Sequence, residues 1–79
     1  MNKNSPINID PEIMSGAPVF RGTRVTIQTL FDYLENGHPL EDFLEGFPSV
    51  TKKHALEVLE LAKKGITSEK TLRLVENIE

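Results

Sequence analysis

The stretch Gly16-Ala17-Pro18-Val19-Phe20-Arg21-Gly22-Thr23-Arg24-Val25-Thr26-Ile27 carries a strand, a turn and a helix start in twelve residues. Pro18 fixes the backbone ahead of a short extended segment to Arg21, in which a β-branched and an aromatic residue favour a strand. Gly22-Thr23 predicts a tight turn, because glycine accepts positive φ at little steric cost. Thr26 then predicts a helix start. Its hydroxyl can accept from an orphan N–H of the first turn, and Val25 and Leu30 have the spacing of a hydrophobic staple. A β-like arm therefore turns sharply into a helix, with Arg21 and Arg24 on either side of the turn.

The first helix is expected from Ile27 to Asn36. Ile27, Leu30, Phe31 and Leu34 fall at i, i+3, i+4 and i+7 on one face, and Gly37 stands where a C-terminal glycine belongs. A short second helix is expected from Pro39 to Glu45. Pro39 suits its first position, Leu40, Phe43 and Leu44 form its apolar side, and Phe47 extends that spacing. Pro48 ends it in the turn Gly46–Val50. The third helix starts after Thr51 and is expected to end at Lys64. Ala55, Val58, Leu59 and Ala62 form its inner stripe, widened by Leu56 and Leu61. Gly65 reads as its C′ residue, with Ile66 against Leu61 as in a Schellman motif. Thr67 or Ser68 could cap a last helix to about Asn77.

Upstream, Ile7-Asn8-Ile9 alternates as a short strand and Asp10-Pro11 ends it. Pro11–Met14 reads as one helical turn, and Ser15-Gly16 returns the chain to the arm. Lone short strands are marginal unless paired, either with each other or with a second subunit. Residues 1–6 read as a flexible N-terminus, residues 7–65 as the folded domain and residues 66–79 as a C-terminal helix available for dimer or partner contact. The fold class is mainly α: a trihelical helix-turn-helix bundle with a short N-terminal β arm and a C-terminal helix.

Seventy-nine residues fit one domain, and a chain this short buries only about 60–65 % of its unfolded surface. A second copy would add stability, so a homodimer is expected. Without cysteine there is no disulfide framework and no thiolate zinc site. No apolar run reaches membrane-spanning length and no signal-peptide core leads the chain, so a cytoplasmic location without membrane association is expected. The net charge of −3 is unevenly spread. Residues 26–46 carry Asp32, Glu35, Glu41, Asp42 and Glu45 without a lysine or arginine, whereas the third helix opens on Lys52-Lys53.

That opening is the candidate nucleic-acid site. In a helix-turn-helix the second helix of the pair enters the major groove by its N-terminal end. Here that end offers Thr51, Lys52, Lys53 and His54, able to contact phosphates or guanine edges. The bland alternative is a solvated helix start, although two lysines there oppose the helix dipole. The acidic first and second helices would repel DNA, leaving the third helix as the approachable side. Tyr33 falls off the apolar stripe and is expected partly exposed at an interface. His38 reads as a loop residue, and Phe31, Phe43 and Phe47 as core.

The run Ile9-Asp10-Pro11, then Gly16 to Val25 with its Pro-x-x-Arg-Gly-Thr-Arg core, then Leu34–Gly37, Phe43-Leu44 and Phe47-Pro48 resembles the bacterial and archaeal family called domain of unknown function 433. Members are similar to antitoxins of type II toxin–antitoxin pairs beside a PIN-like ribonuclease toxin. The resemblance implies a small helix-turn-helix fold with a β arm, and it carries no catalytic residues over. Ser15 stands where a second glycine is usual and Pro39 where a small capping residue is usual.

Arg21 and Arg24 have two readings. They clamp phosphates or a partner's carboxylates, or they lock the arm onto this chain's own Asp32, Glu35 and Glu45. With Arg73 they are the candidate partner-binding residues. No Ser/His/Asp spacing, phosphate-binding glycine loop or metal-ligand motif supports an enzyme or a cofactor. Two functions remain: a DNA-binding antitoxin and autorepressor that binds its double-stranded operator and a PIN-like toxin, or a protein-interaction module that never touches DNA.

Overall fold

The computed structural model describes residues 5–68. Two short strands, β1 (Ile7–Asn8) and β2 (Val19–Phe20), precede three helices, α1 (Ile27–Glu35), α2 (Leu40–Gly46) and α3 (Lys52–Thr67). The fold is mainly α, as the sequence predicts. The strands pair with each other, antiparallel, with Ile7 opposite Phe20 and Asn8 opposite Val19. The arm is thus paired within the chain and no longer argues for a second subunit.

The corner follows from the residues quoted above. Gly22 has φ +82°, and the Thr23 N–H donates to the Phe20 carbonyl at 3.0 Å. Thr23 Oγ1 donates to the same carbonyl at 2.8 Å and accepts from the Val25 N–H at 3.0 Å. The chain then runs back along β2. The Phe20 N–H donates to the Val25 carbonyl, and the Ile27 N–H to the Pro18 carbonyl, each at 2.9 Å. β2 is therefore flanked on both edges, and Val19 and Phe20 are fully buried. Thr26 caps α1, accepting from the Thr29 N–H at 3.3 Å.

The β1–β2 connection differs from the expected helical turn at Pro11–Met14. A single 3-10 turn spans Met14–Gly16, and Met14, Ser15 and Gly16 all have positive φ. The left-handed sense helps the chain reverse in the connection between β1 and β2 and lay the two strands side by side.

Phe20, Leu30, Phe43, Val50, Ala55 and Val58 form the core cluster. Phe43 lies 5.7 Å from Phe20 and 5.2 Å from Phe47 between ring centroids. Tyr33 belongs to this packing, edge-on to Phe43 at 5.7 Å and to Phe47 at 5.9 Å. It stays partly exposed, as the sequence predicts, while its ring packs against these aromatic neighbours. Phe31, expected as core, lies outside the cluster. The buried arc of α1 is centred on Leu30; at about 100° per residue, Tyr33 and Leu34 fall on either side of that centre, and Phe31 falls farther off. Val50, expected only as a turn residue, is buried.

α1 packs on α2, whereas α3 packs chiefly against β2. Pro39 is the N-cap of α2, just outside its first helical position. α3 passes through Gly65 to Thr67, so the expected C′ glycine and Schellman contact do not form. Leu56, Leu61 and Ile66 are exposed; the first two flank the inner stripe of α3 and do not widen the core. The expected last helix lies outside the described residues.

Candidate nucleic-acid interface

The seam between β2 and α3 places the basic residues. Phe20 is fixed in the centre of the small sheet, and the His54 ring stands edge-on to it at 5.3 Å. That contact orients the first turn of α3 toward the N-terminal arm. The carbonyl of Pro6 accepts from His54 Nε2 at 2.8 Å and from the Arg21 N–H at 2.9 Å. His54 is therefore protonated on Nε2, since a carbonyl can only accept. The Arg21 side chain bonds the carbonyls on either side of Pro6. Its Nε donates to the Ser5 carbonyl at 2.7 Å and its Nη2 to the Ile7 carbonyl at 3.2 Å.

These bonds frame a polar cleft of about 350 Å³ lined by Ser5, Pro6, Arg21, Thr51, Lys53, His54 and Glu57. Four of the sequence-predicted residues meet there: Thr51, Lys53, His54 and Arg21. Thr51 is the N-cap of α3 and accepts from the His54 N–H at 3.1 Å. Lys53 is exposed at the cleft's mouth. Lys52, also exposed, is not part of the lining and stands apart from Lys53 on the helix start. Arg24 is exposed in the turn after Gly22, with no hydrogen-bond or ion-pair partner among the described residues. Arg73 lies outside the described residues.

The arginine readings separate here. The Arg21 side chain locks the arm, but through the backbone carbonyls of Ser5 and Ile7; the expected pairs with Asp32, Glu35 or Glu45 do not form among the described residues. All five acids of residues 26–46 are solvent-exposed. One of them, Asp42, accepts from His38 at 3.2 Å between Oδ2 and Nδ1, and the His38 ring lies 5.4 Å from Tyr33. Sequence reasoning missed Ser5, Pro6 and Glu57 as parts of the cleft. Pro6 and His54 are 48 positions apart, and no local spacing signals such a pair. Glu57 lay in plain view one turn after Lys53, a spacing that places both on one helix side.

What the cleft can do is bind an anion at its rim. Lys53 supplies a mobile ammonium, Thr51 a hydroxyl and Arg21 a fixed positive field, opposed by the Glu57 carboxylate. Among the described residues no group of three or more His, Asp and Glu could hold a metal ion, and no helix is long and apolar enough to cross a membrane.

The family model described as "Protein of unknown function (DUF433)" matches residues 7–62. This chain is a DUF433 protein. The resemblance carried by the Gly16–Val25 stretch is thereby shown. The crystal structure of a DUF433 member protein from Anabaena variabilis ATCC 29413 superposes with a TM-score of 0.66 at 25 % identity, covering 92 % of this chain and 70 % of that one. The uncharacterized protein y4eO of Sinorhizobium fredii (strain NBRC 101917 / NGR234) is 39 % identical over 44 residues, which is 56 % of this chain. The chain spans only 20 % of that relative's length. The fold and the family are thus established, and the names of both relatives leave the activity open.

Proposed function

We propose that this DUF433 protein binds double-stranded DNA through the first turn of α3, as the antitoxin and autorepressor of a type II toxin–antitoxin pair with a PIN-like ribonuclease toxin. The observation that carries the reading is the meeting of Thr51, Lys53, His54 and Arg21 around one cleft at the start of a helix that follows α2 by a short turn. A backbone phosphate at the rim would engage Lys53 and Thr51. Lys52, pointing elsewhere from the same turn, is free to reach base edges. Arg21 serves indirectly, by holding the arm that forms the far wall. Glu57 and Glu60 follow on α3, so contact is confined to the first turn of the helix. Arg24, exposed beside the corner, is the candidate for a carboxylate-rich metal site of the toxin, with Arg73 in the same role.

Fluorescence anisotropy on the chain's own upstream DNA and on scrambled DNA, at two salt concentrations, tests the reading. Each phosphate neutralised steepens the log–log salt slope by roughly 0.9. Tighter binding to the upstream DNA, lost in Lys52→Ala with Lys53→Ala while binding of a protein partner survives, is expected. Weak and equal binding to both DNAs would leave the interaction-module reading, which the net charge of −3 and the acidic residues of α3 favour.

A further inference from the structure

The outward side of α3 carries more than the cleft. At about 100° per residue, Lys53, Glu57, Glu60 and Lys64 fall opposite the buried Ala55 and Val58, and Leu61 joins them at the border with that buried stripe. Leu61 is 43 % exposed there. It borders a second, mainly apolar hollow of about 270 Å³ lined by Pro6, Glu57, Glu60, Leu61 and Lys64. Glu57 and Pro6 line both cavities.

The order of charges around Leu61 is self-complementary. Glu57 precedes it by about one turn and Lys64 follows it by about one turn. Two copies of α3 crossing antiparallel near Leu61 would bring Leu61 to Leu61, and each Glu57 to the other copy's Lys64. A parallel crossing would set Glu57 against Glu57 and Lys64 against Lys64. A two-fold axis produces the first arrangement and satisfies both charge pairs at once. Apolar contact in the hollow supplies the attraction, and the paired charges fix direction and register.

We propose that this hollow seats the same surface of a second copy of the chain, and that the second copy's Lys64 completes the cationic cleft by pairing with Glu57. Among the described residues Glu57 is the one acid lining the cleft; paired, it no longer opposes an anion at Lys53 and Thr51. This second half rests on the cleft's being a phosphate site; the surface itself does not.

Sedimentation equilibrium of the full chain without DNA tests the surface. A dimer is expected at micromolar concentration. Glu57→Lys and Lys64→Glu should each weaken it about tenfold or more, because each sets like charges face to face. Mixing these two variants in equal amounts should restore a dimer, since every charge then faces its opposite. Both positions are exposed, and circular dichroism checks that each variant is folded. A monomeric wild-type chain, single reversals that leave the dimer unchanged, or a mixture that stays monomeric would each overturn the proposal. DNA anisotropy of the charge-neutral variant Leu61→Ala tests the coupling, with about tenfold weaker binding expected. Unchanged binding by a monomeric Leu61→Ala overturns the coupling alone. Absence of DNA binding by the wild type overturns the functional reading, and sedimentation still decides the surface.

Discussion

Ser15 holds φ +57° and Met14 before it φ +48°, a region where a Cβ costs roughly 1–2 kcal/mol per residue. The bonds that hold the turn, from the Gly16 N–H to the Ile13 carbonyl and from the Ala17 N–H to the Met14 carbonyl, each at 3.1 Å, are backbone bonds that do not need the Ser15 side chain. Ser15→Gly should therefore stabilise the fold by about 1 kcal/mol, raising the midpoint of thermal unfolding by roughly 4–8 °C for a domain of this size. The opposite experiment is Gly22→Ala. Gly22 has φ +82° and open space where a Cβ would lie, so the loss of about 1 kcal/mol should come from the backbone alone. A melting point unmoved by Ser15→Gly would show that the left-handed turn is not strained. The Gly22 turn is legible in the sequence because glycine beside threonine, after an extended run, has few other uses. Ser15 is visible only as a departure from the family's usual glycine. The partners of Arg21 are not legible at all. They are carbonyl groups 14 and 16 positions away, and every residue type carries a carbonyl.

At the scale of elements, what can be read locally is read well. The Thr26 and Thr51 caps, the Gly37 stop at φ +83° and the Pro48 break all act within one turn of the residues that signal them. The end of α3 is misread because two local signals compete. Gly65 in a helix costs about 1 kcal/mol, but the following turn recovers bonds for the last carbonyls. Thr67 Oγ1 donates to the Lys63 carbonyl at 2.7 Å and Ser68 Oγ to the Gly65 carbonyl at 3.0 Å. The exchange of Phe31 for Tyr33 is a tertiary effect: α2 lies to one side of α1, and its Phe43 meets Tyr33. The cleft is legible in its α3 half and illegible in its arm half for the same reason. Thr51 separates structure from binding. Thr51→Ala removes the cap and should cost about 1 kcal/mol. Thr51→Asp keeps a capping oxygen and favours the helix dipole, so stability should hold or rise. Its added negative charge at the rim should nevertheless weaken DNA binding at low salt. Equal DNA affinity in Thr51→Asp and wild type would remove the first turn of α3 from the interface.

At the scale of the whole molecule, the small core makes everything else conditional. A chain of 79 residues commands only about 4–12 kcal/mol of net stability. Phe43 is the hub of the aromatic packing, with Phe20, Tyr33 and Phe47 around it. Phe43→Ala should remove about 3–5 kcal/mol, enough to leave a large unfolded fraction in a urea titration. So thin a margin also makes self-association readable as stability. If the Leu61 hollow seats a second copy, folding and association share one equilibrium, and the melting temperature must rise with protein concentration. Each tenfold increase adds about 1.4 kcal/mol per dimer, half of it per chain, which at this size is a shift of a few degrees. Leu61→Ala should flatten that dependence while leaving the melting temperature at high dilution close to the wild-type value, because an exposed side chain contributes little within one chain. A wild-type melting temperature constant over a hundredfold range of concentration would mean that the seven buried residues of the described chain hold the fold without a second copy. The charges around Leu61 would then be a solvated helix face.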